Sequence, residues 1–332
     1  MTATGATRAF RVAYDGREYA GFQRQPHATT VEGTLLRALA KHGVVDRGDG
    51  PTHATPPGYA AAGRTDAGVS AVAQTVAFEA PPWLTPRAFN GHLPGSVRVW
   101  AAADVRDGFH ATHDAVRRTY RYHLYAPAAG EASAGRAAGG AANRTAGSDR
   151  SRRSGSPDAV ADDRVHGALD RLSGRHDFHN LTSDDAGTVR DLTATATRTG
   201  DLLVIEVAAD GFPRALVRRL VAAVRAVGRG HTEPSRIDRL LGSEPVPGEL
   251  GVGPAPPEPL VLWDVEYEGV SFGVDREAAE SARVAFGDRY RTARHAAAAT
   301  GAIRDRIATG AEGGSAEPAD ADGSAGRVDD GE

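Results

Sequence analysis

Arg64 and Asp66 stand one residue apart in GRTDAG (63–68), a turn bracketed by glycines and followed at once by the apolar run VAQTVAF (72–78). A guanidinium beside a carboxylate favours the ionised form and lowers its pKa. Asp66 is therefore a candidate nucleophile rather than a general acid. Gly63 and Gly68 would let the backbone bend tightly around it. The competing reading is an Asp or Thr capping an ordinary surface turn, which residue frequencies alone favour.

Two other stretches place charge in a pattern. Between 213 and 228, Leu216, Val217, Leu220, Val221, Val224 and Val227 fall on one helical face. Arg214, Arg218, Arg225 and Arg229 fall on a neighbouring one. Such a row of cations faces solvent, a phosphate backbone or a buried carboxylate. The loop YDGREYAGFQRQP (14–26) interleaves aromatic residues with Arg17, Gln23, Arg24 and Gln25, which suits stacking on unpaired bases and also suits a plain surface turn. No second carboxylate is spaced near Asp66, and HExxH, GxxxxGK[ST] and a GxGxxG after a strand are missing. The pairs His110/His113 and His176/His179 lack acidic or thiolate partners at ligand spacing, so the histidines read as packing or surface residues and no metal is expected.

Period and punctuation predict the elements that must carry these residues. RAFRVAYDG (8–16) alternates and ends in Asp-Gly, as a strand entering a turn does. Thr30 would cap a helix whose apolar face is Val31, Leu35, Leu36 and Leu39, ending at Gly43. Strands are predicted at 72–78, 97–105, 116–125, 188–198, 202–209 and 260–267, and helices at 85–93, 158–172, 213–228, 234–241 and 275–298. On 116–125, Tyr120, Tyr122 and Leu124 share one face. Few regular βαβ units occur, so the expected class is α+β on a mostly antiparallel sheet.

The domain plan that follows has a disordered terminus at 1–7 and an N-terminal half at 8–105 with the Asp66 turn. A C-terminal half at 106–270 is interrupted by 126–157, then come a charged helix to 298 and an acidic, disordered tail at 299–332. The 126–157 stretch has no apolar side chain larger than alanine apart from prolines, too little to offset the entropy of ordering it. It reads as an inert insertion or a loose basic tether.

With 332 residues, 40% of them hydrophobic, the chain can bury a sizeable core. It has no cysteine, which excludes disulfides and Cys nucleophiles. No apolar run approaches the ~20 residues needed to cross a bilayer, and the first residues lack a signal-peptide pattern, so a cytoplasmic protein is expected. The net charge of −4 hides an asymmetry: residues 301–332 carry −5, leaving +1 on the rest. Lys41 is the sole lysine, so the basic charge is almost all arginine, whose fork suits bidentate phosphate contacts.

Four blocks in order, YDGREYAGFQRQP, AAGRTDAGVSAVAQTVAF, RRTYRYHLY and GFPRALVRRLVAAVRAVGRG, resemble the tRNA pseudouridine synthase A family. LVLWDVEY (260–267) is similar to that family's closing strand. The resemblance implies a pseudouridine synthase fold with two related halves around a basic cleft. It also implies a cofactor-free homodimer that converts uridine to pseudouridine at positions 38, 39 and 40 of the anticodon stem and loop of tRNA. By the same resemblance Asp66 is the catalytic aspartate, Tyr120 a substrate-contacting tyrosine, and Arg218 the late-helix arginine that holds Asp66 ionised. Tyr120 would accept the C5 proton or stack on the base. Arg64 would join them in binding substrate, with Arg24, Gln25, Arg214 and Arg225 as further RNA-binding candidates. Three positions depart from the family's pattern: Ser70 for its histidine, Phe22 for tryptophan and Val217 for methionine. Rival readings are a synthase acting on another RNA site and a non-catalytic RNA-binding module on the same scaffold.

Overall fold

The computed structural model describes residues 5–46, 54–128, 156 and 158–313. Its elements in chain order are β1 (Ala6–Tyr14), α1 (Val31–Lys41), β2 (Ala60–Ala61), β3 (Ser70–Ala80), α2 (Pro86–Asn90), β4 (Val97–Asp104) and β5 (Ala115–Tyr125). They continue with α3 (Asp162–Leu172), β6 (Gly174–Asp177), β7 (Val189–Thr199), β8 (Leu202–Ala209), α4 (Leu216–Gly228), α5 (Ser235–Leu240), β9 (Leu260–Tyr267), β10 (Gly273–Val274) and α6 (Arg276–Gly313). The fold is α+β. One sheet runs in the order β10-β4-β1-β3-β9-β5-β8-β7-β6, with β2 beside β3. Every pairing in it is antiparallel except β3 with β9, where only Ser70↔Val261 and Ala71↔Leu262 are in register.

That short parallel ladder separates two cores. The first packs Val31, Leu35, Leu36 and Leu39 of α1 against Phe10, Val12 and Phe78 of β1 and β3, all almost wholly shielded from water. Each such side chain contributes about 1.5–3 kcal/mol by leaving water. The second packs Leu216, Leu220, Val221, Val224 and Val227 of α4 and Leu169 of α3 against Ile205, Val207 and Tyr122 of β8 and β5. Tyr120 touches both. The apolar faces read from the sequence are the ones buried, and Thr30 caps α1 by accepting from the Gly33 amide.

The boundaries differ in places. Ala6 and Thr7, read as a frayed terminus, already pair with Ala80 and Glu79 in β1–β3. The charged helix does not stop near 298 but continues to Gly313, so the first part of the stretch read as a disordered tail is helical. Expectations for 1–4, for 129–155 and 157 within the insertion and for 314–332 fall outside the described residues. Where the chain enters that insertion, Ala126 donates to the Asp201 carbonyl at 2.9 Å, and Val160 beyond it donates to Pro127 at 3.1 Å. β2, β6 and β10 had no sequence signal, because two to four residues are too few to show a period. The chain divides after Arg283: the sheet and α1–α5 form one unit, and the remainder of α6 belongs to the other. Among the described residues no helix is long and apolar enough to cross a membrane.

Candidate active site

The GRTDAG turn is tied down from several directions. The Phe22 amide donates to Thr65 O at 3.0 Å, and Gly68 N donates to Tyr19 O at 3.3 Å. Behind the turn, Tyr14 OH and Thr65 Oγ1 share a buried hydrogen bond of 2.8 Å. Gln74, wholly buried on β3, donates from Nε2 to Gly63 O at 2.8 Å. Gly68 has φ +83°, and a Cβ there would lie 2.9 Å from Pro257, so glycine is required. Gly63 lies outside the left-handed region and is not needed for the bend.

Asp66 is held by Arg218, not by its sequence neighbour Arg64. Arg218 Nη1 lies 2.9 Å from Asp66 Oδ2, and its Nε donates to Ala255 O at 2.7 Å. Arg64 makes no ion pair or hydrogen bond among the described residues and is exposed. Adjacency in sequence favours an Arg64–Asp66 pair, yet among the described residues the ion pair of Asp66 is with Arg218. Arg218 is only 16% exposed and Asp66 is 41% exposed, so the cation is fixed while the carboxylate stays accessible. With Oδ2 engaged, Oδ1 is the oxygen left for a ligand.

Both residues line a cleft of about 1040 Å³, together with Arg64, Tyr120, Phe212, Gln23, Gln25 and Arg214. Tyr120 meets Phe212 edge to face, with ring centres 5.2 Å apart. Burial pushes the Tyr120 phenol up to about 12, Arg118 opposes this and Asp66 adds to it. A phenol is protonated at neutral pH with or without that shift, and the contact with Phe212 makes Tyr120 part of an aromatic wall of the cleft. The cleft leads to the start of α4, where Ala215 takes a left-handed φ of 55° and no side chain caps the helix.

The other candidates separate. Gln25 lines the cleft and donates to Ala20 O at 2.8 Å. Arg24 lies off the cleft lining and sits beside Glu32, with Nε 3.6 Å from Oε2. Arg214 lines the cleft, mostly exposed, 3.7 Å from Asp184. Arg225 does not line it, and Arg229 pairs with Asp158. Among the described residues the row of four arginines therefore has no common partner. The cleft is also not uniformly basic: Arg64, Arg214 and Arg218 are matched by Glu32, Asp66 and Asp184. Arg17, in the first loop, is committed to Asp15 at 2.6 Å. Ser70, which departs from the family pattern, serves the fold: its Oγ accepts from Gly16 N at 3.0 Å and ties β3 to the first loop.

One group was missed. Arg118 of β5 bonds to Ala62 O, Thr112 O and Asp210 O. The alternation that placed Tyr120, Tyr122 and Leu124 on one face puts Arg118 there too, which was the available signal. Among the described residues no group of three His, Cys, Asp or Glu side chains could hold a metal ion.

The family model for tRNA pseudouridine synthase matches residues 168–268, the stretch carrying β6 to β9 and Arg218. tRNA pseudouridine synthase A of Haloarcula marismortui is 53% identical over 303 residues, 91% of this chain and 99% of that protein. The enzyme of the same name from Natronomonas pharaonis is 55% identical over 86% of this chain and 94% of its own. That of Thermococcus kodakarensis is 34% identical over 85% and 92%. On identity and coverage of this extent, with the α+β sheet that carries them, the chain belongs to the tRNA pseudouridine synthase A family, isomerases that convert uridine to pseudouridine.

Proposed function

We propose that this chain isomerises uridine to pseudouridine at positions 38, 39 and 40 of the anticodon stem and loop of tRNA, with Asp66 as the catalytic carboxylate. The carrying observation is the accessible Asp66 carboxylate fixed by Arg218 in a cleft that also holds Tyr120. In the reaction the N1–C1′ bond breaks, the uracil turns and C5 joins C1′. C5 loses a proton and N1 gains one, so no oxidant and no hydrolytic water enters the balance. Asp66 Oδ1 engages the nucleoside while Arg218 keeps the carboxylate charged. Tyr120 and Phe212 offer rings against which the extruded uracil packs. Gln23, Gln25, Arg64 and Arg214, on the cleft walls, meet the surrounding nucleotides. The protein acts as a cytoplasmic homodimer.

The test is release of tritium from tRNA transcripts labelled at uracil C5, followed by mapping of the modified positions. Wild type should release tritium and modify 38, 39 and 40, and Asp66→Ala should release none. Modification elsewhere would overturn the site choice, and release by Asp66→Ala would overturn the role of that residue. Light scattering checks the dimer, which an active monomer would contradict.

A further inference from the structure

Asp66, Tyr120 and Arg218 come from three segments far apart in sequence, and their spacing must be held by something other than chain connectivity. We infer that Arg118 is the positioning residue of this site, locking the Asp66 turn, the Tyr120 strand and the segment that leads to Arg218 into one register. The inference rests on Asp66 being the catalytic carboxylate.

Arg118 donates to Ala62 O from Nε at 3.1 Å and from Nη2 at 2.7 Å, to Thr112 O from Nη2 at 2.7 Å, and to Asp210 O from Nη1. Ala62 opens directly into the turn that bears Asp66, and Asp210 lies just ahead of Phe212, which packs on Tyr120. Tyr120 is two residues along the same strand on the same face. Thr112 closes the arrangement, since its Oγ1 donates to Ala61 O. From the Tyr120 strand, one planar guanidinium thus bonds the segments of Ala62, Thr112 and Asp210 at once. Four of its five N–H groups are taken, which leaves no free fork for a phosphate. Its partners are carbonyls, and among the described residues no carboxylate pairs with it. The neighbouring Arg117 points to the opposite face, 2.7 Å from Thr193 Oγ1 and 4.0 Å from Glu266. A lysine in place of Arg118 would keep the charge but offer its donors from one point, too compact to span three carbonyls.

Arg118→Met, Arg118→Lys and Thr112→Val should be compared with wild type and Asp66→Ala by C5 tritium release and tRNA binding. Arg118→Met should lower kcat about 100-fold, the scale of an ångström-sized misplacement. KM should stay within about twofold and the salt dependence of binding should not change, because no phosphate contact is lost. Arg118→Lys should recover only a minor part of the rate, and Thr112→Val should lose a few-fold. A raised KM with kcat intact, and a salt slope smaller by about one, would make Arg118 a phosphate contact and overturn the inference. So would wild-type kcat per folded molecule with only a lower Tm. Should Arg118→Met fail to fold, Arg118→Lys and Thr112→Val decide, and wild-type kcat in both overturns it. Tritium release by Asp66→Ala would instead bring down the reading of the site itself.

Discussion

The two halves of the sheet hold their functional groups in opposite ways. The first half offers Asp66 on a turn, with side-chain or backbone ties to Tyr14, Tyr19, Phe22 and Gln74. The second half offers Tyr120 on a strand and Arg218 in the first turn of a helix, both already fixed by ladder pairing and apolar packing. A turn has no repeating hydrogen bonds of its own, so its rigidity must come from neighbours. A helix needs only a buried face to aim its side chains. The contrast says where each half is vulnerable: the first through its ties, the second through its core.

Asp66→Asn sharpens this contrast most. It should lower tritium release at least about 10³-fold, as loss of a nucleophile does, with tRNA affinity unchanged or tighter because a negative charge leaves the cleft. Equal activity by quench-flow would break the assignment. Arg218→Ala should lower kcat about 10²- to 10³-fold, since it removes the fixed cation beside the carboxylate. A change confined to KM would show that Arg218 serves the RNA instead.

Core substitutions probe whether the halves are one cooperative body. Leu35→Ala and Leu220→Ala should each cost about 2–5 kcal/mol in urea unfolding and keep a single transition, because the sheet is continuous and Tyr120 packs on both cores. Two separate transitions, each moved by one mutation, would show that the short β3–β9 ladder divides the molecule. Alkaline unfolding tests the seam more gently. Tyr120 and Tyr267 are pushed up to about 12 by burial, so each binds its proton more tightly folded than unfolded. Their stabilisation is therefore complete below about pH 10 and is lost as pH rises towards 12. Tyr120→Phe should flatten that decline, and an unchanged slope would count against a buried phenol there. The smallest effects belong to arginines off the cleft. Arg24→Ala and Arg225→Ala should change KM less than about twofold. Arg64→Ala should raise KM and lower the salt slope by about one, because Arg64 keeps an uncommitted fork in the cleft.

Much of this was legible from residue order alone. Alternation and helical spacing located the longer strands and helices, and Thr30 marked the start of α1, because those signals are local. The partner of Asp66 was not local: Arg218 is 152 residues away, and residue types alone pointed to Arg64 instead. Only the resemblance paired Asp66 with Arg218. The row on α4 misled in the same way, since helical spacing puts four arginines on one side but says nothing of what each will meet. Arg118 was visible as a face but not as a clamp, because its partners are backbone carbonyls, which have no sequence signature.

Ala215, at the entrance to α4, takes a backbone conformation suited to glycine. An alanine at φ 55° carries about 1 kcal/mol of backbone strain that glycine would not. Ala215→Gly would remove that strain but add unfolded-state freedom worth about 0.5–1 kcal/mol, so the two nearly cancel, and it sits three residues before the arginine that grips Asp66. Relieving that strain would make the α4 entrance more pliable and let Arg218 wander. Ala215→Gly should therefore lower kcat in the C5 tritium assay with little change in Tm, and an unchanged kcat would show that this residue does not help to aim Arg218.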